Sequence, residues 1–216
     1  MNNVLEDRCA GMVTGAYIAD ALAMPAHWYY DRGALQRDYG IIRSYLAPKR
    51  LHPDSIMWRS SYTPLNERGD ILREQAQYWG QPGMHYHPFL RPGENTLNLQ
   101  LVRVLDESLT AKGGYDLDDY LERYIDFMLT PGRHRDTYAE EYHRHFFTHL
   151  ARGWKPQRCG GADVHIGGLA GVGLLCARLG KEAPAAVIEH VGFSHGDADV
   201  LDAAKTLTRM LLALLL

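Results

Sequence analysis

From residue 94 to the end of the chain, apolar residues recur every three or four positions and never settle into the two-residue alternation of a strand. TLNLQLVRVLDESLTA places Leu97, Leu101, Val104, Leu105 and Leu109 on one face, and YDLDDYLERYIDFML does the same with Leu117, Leu121, Tyr124, Ile125 and Met128. DTYAEEYHRHFFTHLARG predicts a third helix, with Asp136 as its N-cap. GGADVHIGGLAGVGLLCARLG is Gly-rich and apolar, the composition of a helix packed tightly at small residues. PAAVIEHVGFSHGDADVLDAAKTLTRMLLALLL reads as two helices divided at SHGDAD, where Gly196 ends one and Asp197 or Asp199 opens the next. Strands and helices do not alternate along the chain, so the expected class is all-α.

The N-terminal half divides in two. Residues 4–23 read as a helix carrying Gly11, Gly15, Ala19 and Ala23 every fourth position, a stripe that lets a second helix backbone approach closely. Residues 24–93 hold seven prolines, seven tyrosines and three tryptophans, and only ALQRDYG and DILREQAQYW look helical among them. So long an aromatic and Pro-rich connection points to a functional loop segment. At 216 residues one domain is the expected count, 1–216.

Charge and cysteines narrow the function classes. A formal net charge of -3 with mixed signs gives no basic field for a nucleic acid. Cys9, Cys159 and Cys176 are odd in number and widely spaced, which fits reduced thiols in a cytoplasmic protein better than a disulfide framework or a zinc knuckle. The early apolar run AGMVTGAYIADALAM is interrupted by Asp20 and reads as too short to span a bilayer, so no membrane segment is expected. MLLALLL ends the chain without a stop signal, which reads as a longer natural chain or a helix docked fully into the core.

Several groups carry candidate chemistry. Glu94, Asn95 and Thr96 follow a Pro-Gly stop directly before a helix, where they fit an N-terminal cap or an oxygen-rich site for a hard cation such as Mg²⁺. Asp20 is a carboxylate in an apolar stripe, so it requires a cation, a metal or several backbone donors. His145 and His149 share a helical face but lack the glutamate of a zinc protease helix and read as half-buried histidines. His85 and His87 lie in the aromatic segment leading into GENT, placed to line a pocket.

Three stretches in order, DRCAGMVTGAYIADALAMPAHW, GENTLNLQL and GGADVHIGGLAGVGLL, together with FSHGDADVLDAA, resemble the ADP-ribosylglycohydrolase family over most of the chain. The resemblance implies a compact multi-helix domain whose cleft holds two Mg²⁺ ions and the ribose of an ADP-ribosyl group. By the same resemblance Glu94 and Asn95 take the places of paired aspartate ligands, Thr96 and Asp20 are kept, and Gly93 stands where a ligand hydroxyl would be. His27 takes the place of the glutamate that serves as acid or base, His165 falls in the later ligand-binding segment, and the second metal cluster has no counterpart before Leu216. These changes, with PAHWYYD and the aromatic segment, are similar to the crystallin-like and selenoprotein-like branch.

The resulting expectation is a hydrolase-like protein with a metal-poor, remodelled site for a small polar ligand such as a nucleotide sugar. His27 and Glu94 are the catalytic candidates, Asp20 and His165 the substrate-binding ones, and Glu94, Asn95 and Thr96 the metal ones. An active Mg²⁺-dependent glycosidic hydrolase using His27 and Glu94, and a structural crystallin-like protein without catalysis, are the alternatives.

Overall fold

The computed structural model describes residues 3–215, and its helices follow the apolar periods. α1 spans Asn3–Ala23 and α2 Arg32–Asp38. After the long connection come α3 at Leu97–Lys112, α4 at Leu117–Leu129 and α5 at Glu141–Ala151. α6 covers Val172–Leu179, α7 Ala183–Gly192 and α8 Ala198–Leu215. Among the described residues there is no strand, only the isolated bridges Leu51 to Met84 and Ala162 to His195. The all-α class is therefore observed.

Local chemistry sets the helix ends. α4 opens on Asp116, whose side chain accepts the Asp119 N–H at 3.0 Å, and α3 closes on Gly113 in the left-handed region at φ 70°. α8 opens where Asp197 accepts the Asp199 N–H at 2.9 Å. Leu97, Leu101, Val104, Leu105 and Leu109 of α3 are all buried, and they join Tyr120, Leu121, Tyr124 and Met128 of α4 and Phe146, Phe147 and Leu150 of α5 in one contiguous core. α6 lies against α1, α3, α7 and α8, and closes that core from the other side.

Four expectations are corrected. The stripe of Gly11, Gly15, Ala19 and Ala23 faces solvent, whereas Leu5, Cys9, Met12, Val13 and Tyr17 pack on the core. α1 meets α6 instead where Met12 packs beside Gly173, with Met12 Cγ 3.8 Å from where a Cβ would stand. The Gly-rich stretch is helical only from Ile166, first as a 3₁₀ turn and then as α6. DILREQAQYW forms a 3₁₀ helix at Arg73–Tyr78, because Arg73 enters it at φ 48° and blocks α-helical continuation. α8 does not dock fully: Met210 is 60% exposed and Leu214 70%, while Leu216 lies outside the described residues.

α1 together with the 3₁₀ turn Met24–Ala26 makes 24 residues, long and apolar enough by length and composition to cross a membrane, with 17% of its apolar window buried. The run is thus longer than its interruption at Asp20 implies, since that carboxylate is hydrogen-bonded within the fold.

The exposed stripe gives a direct prediction. A Cβ added at Gly11 or Gly15 meets nothing within 4 Å. Gly11→Ala and Gly15→Ala should each stabilise the protein by about 1 kcal/mol through helix propensity, raising Tm by roughly 2–4 °C in thermal melts. A lower Tm in either variant would show that the stripe is packed.

Candidate functional site

Asp20 ties α1 to the start of α3. Its Oδ2 accepts the Asn95 Nδ2 proton at 3.0 Å and the Thr96 N–H at 2.8 Å, and its Oδ1 accepts from the Thr96 hydroxyl at 2.7 Å. Asn95 Nδ2 also donates to the Tyr17 carbonyl at 2.7 Å. A carboxylate in an apolar helix thus finds its donors in GENT, as its desolvation requires.

Thr96 stands at the N-cap position of α3, yet its side chain makes no capping bond. The open N–H groups there are met by two remote carboxylates: Asp20 takes the Thr96 N–H, and Asp136 Oδ2 takes the Leu97 N–H at 2.9 Å. This overturns the assignment of Asp136 as the N-cap of α5, which opens at Glu141 with Glu140 at its cap position. Asp136 is fully buried and faces α3 and the aromatic segment.

Glu94 does not join His27. Its Oε2 accepts the Arg91 N–H at 2.7 Å, its Oε1 is paired with Arg135, and it lines a cleft of about 330 Å³ with Gly132, Arg133, His134 and Arg135. Gly93, beside it, adopts φ 85° with the Tyr45 ring 3.5 Å from where a Cβ would sit. Glycine at this position serves the turn and cannot be exchanged for a hydroxyl residue without strain.

His27 instead lines a cavity of about 140 Å³, together with Trp28, His87, Thr96, Asn98, Asp136, Tyr138, Glu140 and His143. Trp28 is held in the left-handed region at φ 61° and packs edge-on against Tyr86 and Tyr138, with ring centroids 4.0 and 4.8 Å away. Such a conformation in a bulky residue persists only where its surroundings fix it. His27 Nδ1 lies 2.9 Å from His87 Nε2, and His87 Nδ1 lies 2.6 Å from Asp136 Oδ1. Behind them His52 Nε2 bonds the His27 carbonyl at 2.7 Å and His85 Nε2 the Pro25 carbonyl at 3.0 Å.

Two more groups complete the cavity. Glu140 Oε2 and His143 Nε2 are shut off from solvent and have no hydrogen-bond partner among the described residues. Burial raises the Glu140 carboxyl above its usual range, against a lowering contribution from the Asn98 hydrogen bond. Burial drives the His143 imidazole well below its usual value. His27 is pushed down to about 4, first by burial and then by His87, with Asp20 and Asp136 opposing. The environment therefore moves a carboxyl toward its protonated form and an imidazole toward its neutral form within one cavity.

His165 is exposed and held by Asp163, whose Oδ1 lies 2.7 Å from His165 Nδ1. It lowers the Glu140 carboxyl's proton affinity through its charge but is not among the residues that line the cavity. His145 pairs with Glu141 at 3.5 Å, and His149 bonds the Cys159 carbonyl at 2.9 Å, so the two make no common site. Glu140 and His143 are the residues the sequence reading missed. An acid and a histidine three apart at a helix start, on one face, was the available signal.

The oxygens of GENT do not fit Mg²⁺. The Glu94 carboxylate is paired with Arg135 and Arg91 N–H, the Thr96 hydroxyl proton goes to Asp20, and both Asp20 oxygens hold protein donors. A Mg²⁺ site needs near-octahedral oxygen ligation with carboxylates free to face the ion. Among the described residues no group of three or more His, Cys, Asp or Glu has the geometry to hold a metal ion.

Comparison with curated proteins and with solved structures gave no significant match. The ADP-ribosylglycohydrolase family model, in contrast, matches residues 1–216. The chain therefore belongs to the ADP-ribosylglycohydrolase family over its whole length.

Proposed function

We propose that the cavity beside His27 binds the glycosyl part of a small polar ligand of the nucleotide-sugar class, in a hydrolase-like protein whose inherited metal site has been remodelled. Family membership supports the hydrolase-like character. The observation that carries the ligand is the pair Glu140 and His143, which both line one cavity of about 140 Å³ and each hold a buried polar atom without a protein partner among the described residues. Leaving such groups unsatisfied costs about 1–3 kcal/mol each, and a hydroxyl-bearing ring answers both. The cavity walls carry no lysine or arginine, so they suit a neutral sugar better than a phosphate. The engaged side chains of Glu94, Asn95 and Thr96 support the metal-poor reading.

Thermal melts with ADP-ribose test this. At a hundredfold excess over Kd, Tm should rise by roughly 5–10 °C, and by the same amount in Mg²⁺ as in EDTA. Absence of any shift at millimolar ligand would sink the ligand reading, and a shift that requires Mg²⁺ would sink the remodelled site.

A further inference from the structure

The hydrogen bonds behind the cavity wall run in one direction. Asp136 accepts at both oxygens, from Leu97 N–H at 2.9 Å and from His87 Nδ1 at 2.6 Å, so His87 Nδ1 carries a proton. In its neutral form His87 then keeps a lone pair on Nε2, which lies 2.9 Å from His27 Nδ1. His27 Nδ1 is therefore the donor, and the lone pair of His27 is left on Nε2, the ring nitrogen with no protein partner among the described residues.

The flanking histidines lock this arrangement. His85 Nδ1 accepts the His87 N–H at 2.9 Å, so its Nε2 proton goes to the Pro25 carbonyl. His52 Nδ1 accepts the Asp54 N–H at 3.1 Å, so its Nε2 proton goes to the carbonyl of His27 itself. Each ring has one tautomer that satisfies its neighbours, and together they hold His27 from both sides.

We propose that Asp136, His87 and His27 form a proton relay that makes His27 Nε2 the general base of a metal-independent glycosidic hydrolysis, with Glu140 in the same cavity as general acid. This rests on the reading above that the cavity holds a glycosyl group. His27 Nε2 takes one proton from a water molecule as the water oxygen bonds to the anomeric carbon. The bond from that carbon to the leaving group breaks, and the leaving atom keeps the electron pair and takes the carboxyl proton of Glu140. The Nδ1 proton of His27 passes to His87 Nε2, so the positive charge rests beside the Asp136 carboxylate. The proton on His87 Nε2 then returns to His27 Nδ1, His27 Nε2 gives up the water-derived proton to solvent, and the Glu140 carboxylate takes one up, which restores the enzyme with one water consumed and nothing oxidised.

The protonation tendencies of the two groups agree with these roles. His27, facing His87, Asp20 and Asp136, is lowered to about 4 and so is neutral near pH 7. Glu140, facing Asn98, His165, Asp163 and His87, is raised. The relay answers the weak basicity of a buried His27, because the positive charge it would gain passes, with its Nδ1 proton, to the ring hydrogen-bonded to Asp136.

The test uses the full chain in EDTA with two ribosides of the same sugar, one carrying 4-nitrophenol and one methanol, each anomer assayed. Turnover of both should survive EDTA, and His27→Gln should lower kcat on both by about 100-fold or more. Glu140→Gln should cost about 100-fold on the methyl riboside and less than about tenfold on the nitrophenyl one, since nitrophenolate leaves without a proton. His87→Gln should lower kcat by about 10- to 100-fold, shift the acid limb of the pH profile and leave KM within about twofold. In the wild-type protein the ¹⁵N shifts of His27 should show the Nδ1–H tautomer, a readout that stands even if His87→Gln fails to fold. An Nε2–H tautomer, EDTA-sensitive turnover, or His27→Gln at wild-type rate would each overturn the relay. No turnover of either riboside by a protein that ADP-ribose stabilises would overturn the relay and spare the ligand reading. Turnover without an ADP-ribose shift would overturn the nucleotide-sugar assignment and leave the glycosyl group in the cavity, and the relay, in place.

Discussion

Gly160→Ala should remove most of the protein's stability. The added Cβ would lie 1.4 Å from the Phe193 carbonyl oxygen and 2.6 Å from its carbon, distances at which one backbone must move away from the other. Neither is a flexible side-chain end. This is where residues 160–163 run beside the segment that leaves α7: Gly196 N–H donates to the Gly161 carbonyl at 3.0 Å, and Ala162 bridges His195. Cys159, immediately before, is fully buried. Forcing the two segments apart there opens the core at α7, and a loss of more than about 4 kcal/mol is expected, in the range reserved for severe backbone or core defects. Gly161→Ala is the control, because its Cβ would meet nothing within 4 Å. Denaturant titration should place Gly160→Ala far below Gly161→Ala, and near-equal midpoints would contradict the close approach.

Acid should destabilise the protein well before its carboxylates titrate. His85 is fully buried and His190 is 7% exposed. Burial lowers both to about 3, with His87, His52 and His27 adding to it at His85 and His195 at His190. In the unfolded chain each takes a proton near pH 6.5, so below that pH the unfolded state binds more protons and stability falls with falling pH. The loss continues until the folded-state value near 3 is reached. Each such histidine contributes about 1.4 kcal/mol per pH unit, so the pair contributes about 3 kcal/mol per unit between roughly pH 6 and 4. His27, lowered to about 4, acts in the same direction. Urea midpoints measured from neutral pH down to about 4.5 should fall steeply, and His190→Gln should remove about 1.4 kcal/mol per pH unit from that slope. A flat profile across that window would show that these rings are charged in the folded state.

The helices were legible where a period and a terminal signal agreed. α3 and α4 follow the apolar faces read from Leu97 to Leu109 and from Leu117 to Met128, and α3 begins just after the Pro-Gly stop. Asp20 was legible for a different reason: a carboxylate among apolar neighbours must find donors, and it found them in Asn95 and Thr96. What failed was each inference from a locally sufficient signal that a distant group overrode. Asp136 looks like a cap from its neighbours, yet it serves Leu97 and His87, 39 and 49 residues away. Gly11 and Gly15 look like a helix-packing stripe, but α1 meets α6 through Met12 against Gly173. The aromatic segment has no period to read, because its shape is set by side chains such as His52 and His85 bonding to backbone carbonyls of residues 25 and 27.

The way the start of α3 is held has a consequence for synthesis of the chain. Its two carboxylates come from opposite directions: Asp20 lies 76 residues before Thr96, and Asp136 lies 39 residues after Leu97. A chain emerging from the ribosome meets the first as soon as GENT is made, but must wait for the second until α4 is complete. Contacts of such separation close only after a large loss of chain entropy. His87 too stays without its carboxylate until residue 136 is made, so the cavity closes only after α4, when the start of α5 brings Glu140 and His143.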